Sequence, residues 1–298
     1  LSLKDEEVMV LEMGMNSFGE ISLLSRIAKP DVAIITNIGT AHIGNLGSRE
    51  NIMKAKLEIT EGLSGPLIIN QDNDIISANI DYIKSLNDII TIGIDSDSDY
   101  KASCISSDMT KFKINGNDIE CKIGNRAFIY NSLVSYAIGI LCGIDINNIR
   151  KGILNFELTG NRLEKKLIKN DILIIDDTYN ASLDSIKSSL EILRNEKGDR
   201  KIAVIGDVLE LGSYTREIHR SIGKELLNSN LDYIVLVGDN TKYTLDYLEE
   251  NNYSNVKHFD KESDTYTFLD NLLNSNDTVL VKGSNGMKLK NIVNYLTK

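Results

Sequence analysis

The sequence predicts an α/β protein built from two open, mostly parallel sheets with helices on both faces. Three observations carry that prediction. Apolar runs of strand length alternate with amphipathic stretches of helix length. Strand–helix–strand alternation favours parallel pairing through crossover helices. The rhythm breaks once and restarts within 298 residues, a length that suits about two domains. With 42% hydrophobic and 26% charged residues, each half has enough apolar material for a core of its own.

In the first half, residues 8–11 read as a strand, 20–28 as a helix and 32–35 as a strand. Residues 49–63 read as a longer helix, with Ile52, Leu57, Ile59 and Leu63 at near-helical spacing. Strands follow at 67–69 and 89–92. Residues 100–128 break the rhythm with two alternating runs around Asn115-Gly116, a hairpin signal. Helices are expected at 129–141 and 146–154. The second half opens with strands 163–168 and 172–175, which turn at Lys169-Asn170-Asp171. Helix 183–194, strand 201–205, helix 215–227, strand 233–237, helix 241–249, helix 263–273, strand 278–281 and a helix from Met287 complete it. Helical periodicity stops before a Gly-Asn turn, which divides the chain into domains 1–157 and 158–298.

Composition narrows the function. With 33 Lys and Arg against 43 Asp and Glu, the formal charge is −10, which argues against a nucleic-acid partner. A small phosphorylated ligand stays open, because one arginine and a helix N-terminus can hold it. Cys104, Cys121 and Cys142 form an odd, widely spaced set without C-x-x-C. They read as reduced thiols of a cytoplasmic protein, not as a disulfide frame or zinc site. No apolar run reaches bilayer length and no charged-then-apolar leader opens the chain.

Ligands of open parallel sheets bind at the carboxyl ends of the strands, so the residues after each apolar run matter most. LEMGMNSFGEI places Glu12 there, and ITNIGTAHIGNLGS places His42 in a glycine-rich turn. A carboxylate and an imidazole so placed suit magnesium shared with phosphates; helix capping by Glu12 and loop filling by His42 are the plainer alternative. Lys56 lies two residues after Lys54 on a different helical face, either solvated or open to covalent modification. IIDDTYNAS ends a strand with Asp176 and Asp177, of which Asp177, or else Thr178, could instead cap the next helix. Arg162 in TGNRLE suits a phosphate or a surface ion pair. VIGDVLELG presents Asp207 and Glu210, and VKGSNGMK presents Lys282 and Ser284 in a segment resembling an anion nest. Neither G-x-x-x-x-G-K-[ST] nor a strand-linked G-x-G-x-x-G occurs, which argues against a dinucleotide dehydrogenase.

Taken together, LEMGMNSFGEI, ITNIGTAHIGNLGSRENIMKAKLEI, the Asn-Ser-Leu of IYNSLVSYAIG, TGNRLE, IIDDTYNAS, VIGDVLELG and VKGS resemble the Mur ligases of peptidoglycan synthesis, in family order from Glu12 to Ser284. The resemblance is nearest the type that adds D-alanyl-D-alanine to UDP-N-acetylmuramoyl-tripeptide. It implies a central domain followed by a Rossmann-like C-terminal domain, an ATP-dependent, ADP-forming amide synthesis, and Mg2+. By that resemblance Glu12 and His42 bind magnesium, and Lys56 is carbamylated and positions a second magnesium, His42 and Lys56 being the catalytic pair. Asn131 contacts adenine from the start of a helix, Arg162 a nucleotide phosphate and Asp177 the ribose, with Tyr179 and Asn180 in the same motif. Asn16, Asp207, Glu210, Lys282 and Ser284 are expected to face substrate. A cytoplasmic monomer without membrane insertion is expected.

Two departures from the family pattern stand out. The phosphate loop of G-x-x-G-K-T type does not occur, and Arg126-Ala127-Phe128 stands where the family usually has a histidine. The chain is therefore expected to be the central plus C-terminal part of a longer ligase, inactive by itself. A truncated paralogue acting as a binding or regulatory partner remains an alternative. A relative such as folylpolyglutamate synthase is disfavoured by GMNSFGE and GDVLELG.

Overall fold

The computed structural model describes residues 7–158 and 160–298. The first part runs α1 (Glu20–Ala28), β1 (Ala33–Ile35), α2 (Ile43–Leu46), α3 (Arg49–Leu57), β2 (Leu67–Asn70), α4 (Asp74–Ala78), α5 (Ile80–Leu86), β3 (Ile89–Gly93), β4 (Tyr100–Ser103), β5 (Lys111–Ile114), β6 (Asn117–Glu120), α6 (Arg126–Leu141) and α7 (Ile146–Leu154). Its strands form one sheet in the order β1-β2-β3-β4-β5-β6, parallel from β1 to β4 and antiparallel beyond. Adjacent residues of β2 feed opposite faces. Leu67 and Ile69 pack with residues of α1 and α3, and Ile68 packs with residues of α6 and α7. The hairpin turns at Asn115 and Gly116, both at positive φ, as a two-residue loop of this sequence requires.

The second part runs β7 (Glu164–Leu167), β8 (Leu173–Asp177), α8 (Leu183–Asn195), β9 (Lys201–Gly206), α9 (Thr215–Leu227), β10 (Tyr233–Val237), α10 (Lys242–Glu250), β11 (Val256–Phe259), α11 (Tyr266–Leu272), β12 (Thr278–Lys282) and α12 (Lys290–Leu296). The sheet order is β11-β10-β9-β12-β8-β7, parallel except for β7 on β8. The chain thus returns to insert β12 between β8 and β9. That switch point sets the carboxyl ends of these three strands side by side. Ile202, Ala203, Val204 and Ile205 are all fully buried, the continuous apolar run of a strand covered on both faces. Ala203 and Ile205 face α8 and α9, whereas Ile202 and Val204 face α11 and α12.

Several expectations need correction. Residues 8–11 form no strand: Val8 and Val10 are 58% and 86% exposed, and β1 is an edge strand with no partner on its free side among the described residues. An apolar run becomes a strand only where a neighbouring backbone takes its hydrogen bonds. The helix expected over 49–63 ends at Leu57 and tightens into a 3-10 turn at Glu58–Glu61. There the Glu58 carboxylate accepts the Gly19 and Ser22 N–H groups, and Gly62 lies against the Ser25 backbone. α6 begins at Arg126, three residues early, because Asn125 caps it by accepting the Phe128 N–H at 2.8 Å. The cap of α8 is Ser182 in a capping box with Ser185, not Asp177 or Thr178. The short α2, α4, α5 and β11 carry too little periodicity to read from sequence.

Candidate active site

The loop from β1 to α3 carries His42 and leads to Lys56. His42 sits at positive φ (62°) ahead of α2, and its buried Nδ1 has no hydrogen-bond partner. The Lys56 Nζ donates to the Asn37 carbonyl at 2.7 Å. Burial pushes the Lys56 amine below its ordinary value, with the charge of Asp184 opposing. Lys54, by contrast, is exposed. The α3 lysine expected to react is therefore the half-buried one. Asn37 is fixed in turn, its Oδ1 accepting the Asn73 Nδ2 at 2.7 Å. Glu12 does not end a strand; it is exposed in irregular chain ahead of α1, and Asn16, exposed at a bend, donates its N–H to Glu20.

At the carboxyl ends of the second sheet, neighbouring aspartates take different partners. Asp176 accepts Thr178 Oγ1 at 2.7 Å and pairs with Lys290 and Lys166. Asp177 pairs across the strands with Lys282, which stands opposite it in the β8–β12 register, at 2.6 Å. The same Asp177 Oδ2 accepts the Ser189 hydroxyl at 2.6 Å, and the Lys282 Nζ also reaches the Asn180 carbonyl at 3.0 Å. Lys282 is only 2% exposed, and burial pushes its amine down. Arg162 forms no ion pair among the described residues; its guanidinium lies 4.3 Å over the exposed Tyr179 ring, a cation–π stack. Asp207 is buried, accepting Thr241 N–H at 2.8 Å, and Ser284 Oγ accepts Leu209 N–H at 3.0 Å. Buried His219 ties this loop down, with Nδ1 on the Thr215 carbonyl and Nε2 accepting Val208 N–H at 3.2 Å.

The two parts meet along these loops. α2 packs against the 3-10 turn Gly212–Tyr214, the Tyr214 hydroxyl donates to the Gly47 carbonyl at 2.6 Å, and Glu210 approaches His42 Nδ1 at 3.3 Å. Asn125 donates to Ser188 Oγ at 2.7 Å. Asp184, in the first turn of α8, presses its carboxylate against Gly39 so closely that a Cβ there would collide with it. Desolvation at this contact pushes the Asp184 carboxyl up, although the residue as a whole is exposed; Arg49, Lys187 and the Thr40 N–H act the other way.

A cavity of about 580 Å³ opens between the parts, walled by Asn37, Asp72, Arg126, Asn131, Asp184 and Arg194 among others, a size that suits a small-molecule ligand. Asp72 anchors its wall, accepting the Ile94, Asp95 and Ser96 N–H groups and the Tyr130 hydroxyl, which together hold its carboxyl well below the usual range.

Of the residues expected from sequence, Asn131 lines the cavity, from the second turn of α6 and not its start, while Arg162, Asp177 and Tyr179 do not. Lys282, Asp207 and Ser284 are engaged internally, and Glu210 alone of that group is free to face His42. Among the described residues no three His, Cys, Asp or Glu side chains cluster as a metal site. Magnesium shared with phosphates needs fewer protein ligands, and His42 Nδ1, without a hydrogen bond and facing Glu210 at 3.3 Å, fits one. Asp184, Asn125, Arg49 and His219 escaped the sequence reading. Asp184, Asn125 and Arg49 are ordinary first-turn or cap residues until the other part of the chain is placed against them, and His219 is an ordinary core residue until the loop after β9 folds over it.

Comparison with known proteins then identifies relatives. Residues 1–139 match the family described as Mur ligase middle domain, and residues 161–285 that described as Mur ligase, glutamate ligase domain. The UDP-N-acetylmuramoyl-tripeptide–D-alanyl-D-alanine ligase of Bacillus subtilis (strain 168) is 35% identical over 98% of this chain and 65% of its own length. That of Buchnera aphidicola subsp. Acyrthosiphon pisum is 31% identical over 100% of this chain and 67% of its own length. The crystal structure of MurF from Acinetobacter baumannii gives a TM-score of 0.86 at 29% identity, over 95% of this chain and 63% of that one. MurF ligase from Thermotoga maritima, solved with ADP, shares the fold with a TM-score of 0.84 at 23% identity, over 99% and 68% of the two chains. The chain spans about two thirds of the length of these curated relatives.

Proposed function

The chain belongs to the Mur ligase family, and from that premise we propose that it serves an ATP-dependent, ADP-forming amide ligase joining D-alanyl-D-alanine to UDP-N-acetylmuramoyl-tripeptide. The observation that carries the proposal is Lys56. Carbamylation needs a neutral amine, and burial beside Asn37 favours that form at one lysine of α3 and not at its exposed neighbour. A carboxylate is a poor acylating agent, so ATP first converts it to an acyl phosphate, which the dipeptide amine then attacks with release of phosphate. Magnesium, held by Glu12, His42 and carbamylated Lys56, would neutralise the crowded phosphate and carboxylate oxygens.

The chain's own residues hold the reactants. Arg162, braced on Tyr179, offers a planar fork for a phosphate. Lys282 fixes Asp177, whose Oδ1 is the oxygen for a ribose hydroxyl. Asn131, which lines the cavity, would meet the base, and Glu210, beside His42, would face the incoming dipeptide. No helix among the described residues is long and apolar enough to cross a membrane; a cytoplasmic monomer acting in peptidoglycan precursor synthesis is part of this reading.

The test is ADP release by the complete gene product with both substrates. Lys56→Ala should abolish it, and formate or acetate, standing in for the carbamate, should restore part. A folded variant that no carboxylate rescues would leave Lys56 an ordinary lysine.

A further inference from the structure

Among the described residues, three buried polar side-chain atoms lack a hydrogen-bond partner: Thr40 Oγ1, His42 Nδ1 and Arg49 Nε. All three fall on one ten-residue stretch that follows β1 and ends at the first residue of α3. Leaving such atoms unpaired is costly, and although Glu210 Oε2 comes within 3.3 Å of His42 Nδ1, Thr40 Oγ1 and Arg49 Nε have no such neighbour and mark a place where a partner is missing. The Arg49 Nε can only donate, so the missing group there is an acceptor. Beside these atoms, Asp184 reaches across from α8, its carboxylate against Gly39, where a Cβ would collide with it, and facing the Thr40 N–H and Arg49. Arg49 is itself held in place by a two-pronged pair with Asp74 and a bond to the Ile38 carbonyl at 2.7 Å. Arg49, Asp184 and Lys187 line the 580 Å³ cavity, which therefore borders this contact.

We propose that Gly39, the Thr40 N–H and Arg49 form a seat for a phosphate or carboxylate group, and that Asp184 fills it as an internal stand-in when no such ligand is bound. The side chain is tethered to the same chain, so it competes at high effective concentration and lowers the apparent affinity of any outside oxyanion. It also holds the two parts together in the ligand-free state, and ligand entry releases that contact. The seat goes beyond the ligase reading and is tested without turnover.

Isothermal titration calorimetry of this chain with inorganic phosphate, acetate and ADP gives the test. Asp184→Ala should bind phosphate or acetate at least about tenfold more tightly than the parent. Gly39→Ala added to Asp184→Ala places a methyl group in the vacated seat and should remove the gain. Asp184→Asn, nearly isosteric, should show a smaller gain and serves if the alanine variant melts early. A gain with phosphate and ADP but not acetate assigns the seat to a nucleotide or acyl phosphate; a gain with acetate alone assigns it to a substrate carboxylate. Equal affinity of parent and both Asp184 variants for all three probes, or a gain that survives Gly39→Ala, overturns the proposal.

Discussion

Replacing Lys282 by methionine should unfold the C-terminal part much more readily than the loss of one surface charge would. Lys282 is 2% exposed, and its ammonium is matched by Asp177 at 2.6 Å, which is itself 7% exposed. Methionine keeps the apolar stem and removes the terminal ammonium with its bonds to Asp177 and the Asn180 carbonyl, so the main consequence is a carboxylate left buried without a counter-ion. Breaking a buried pair from one side costs about 3–5 kcal/mol. At roughly 2–4 °C per kcal/mol, that lowers the midpoint of thermal unfolding by about 6–20 °C. Urea unfolding followed by circular dichroism measures the difference directly. Removing both charges, as Lys282→Met with Asp177→Leu, should recover most of the loss, because the pair as a whole contributes little against an apolar substitute. A single variant within about 1 kcal/mol of the parent, or a double variant as unstable as the sum of the singles, would refute the reasoning. The same variant separates two roles for Lys282. If it holds Asp177 for the ribose, Lys282→Met weakens nucleotide binding; if it touches the dipeptide, the KM for dipeptide rises instead.

His219 should make the fold sensitive to mild acid. Burial pushes its imidazole below its ordinary value, and its bond from Val208 N–H needs the neutral ring. The group's contribution is therefore present above about pH 6.5, the value in the unfolded chain, and is lost as pH falls below it. The melting temperature should drop between pH 7 and pH 5, and a His219→Gln variant whose melting follows the same slope would count against this. Gly44→Ala should part the two halves without unfolding either, since its Cβ would lie 2.5 Å from the Glu210 carbonyl oxygen and 2.7 Å from the Gly212 nitrogen, both backbone atoms. Small-angle scattering should show a larger radius of gyration, and an unchanged radius with normal stability would contradict the contact.

The two sheets were legible because buried parallel strands must be apolar at nearly every position, as in KIAVIG of β9, and amphipathic helices such as α9 must carry a stripe. The Asn115-Gly116 turn was legible because few residue pairs accept positive φ twice in succession. Residues 8–11 misled because apolar alternation states a capacity to pair and says nothing of whether a partner arrives. At the site, the strand-end rule located Asp177 as the last residue of β8 and put His42 and Asp207 in the loops after β1 and β9. It could not tell that Lys282 faces Asp177, since that pairing depends on β12 entering the sheet beside β8, more than a hundred residues away in sequence. Nor could it tell Lys56 from Lys54 by chemistry, because the difference is the depth at which α3 lies against Asn37.

The contact between the two halves also explains why the residues expected to bind nucleotide are divided. Asn131 lines the shared cavity, but Arg162 and Asp177 lie outside it. The polar contacts between the halves among the described residues include Tyr214 to Gly47, Asn125 to Ser188, the Arg126 N–H to Glu191, the Thr40 N–H to Asp184, and Glu210 near His42. At about 0.5–1.5 kcal/mol net for each hydrogen bond, they amount to a few kcal/mol. A ligand redistributes two such states only by the difference in its affinity for them. A nucleotide that engages Arg162 and Asp177 together with Asn131 gains charge-assisted bonds available in one arrangement only, at about 1.5–3 kcal/mol each. Two of these offset the polar contacts between the halves, and the apolar cluster that the halves share adds to what must be displaced. On the proposed function, the present arrangement, held in part by Gly44–Gly212 packing and by Asp184 against Gly39, is the ligand-free one, and nucleotide binding would rotate the C-terminal part.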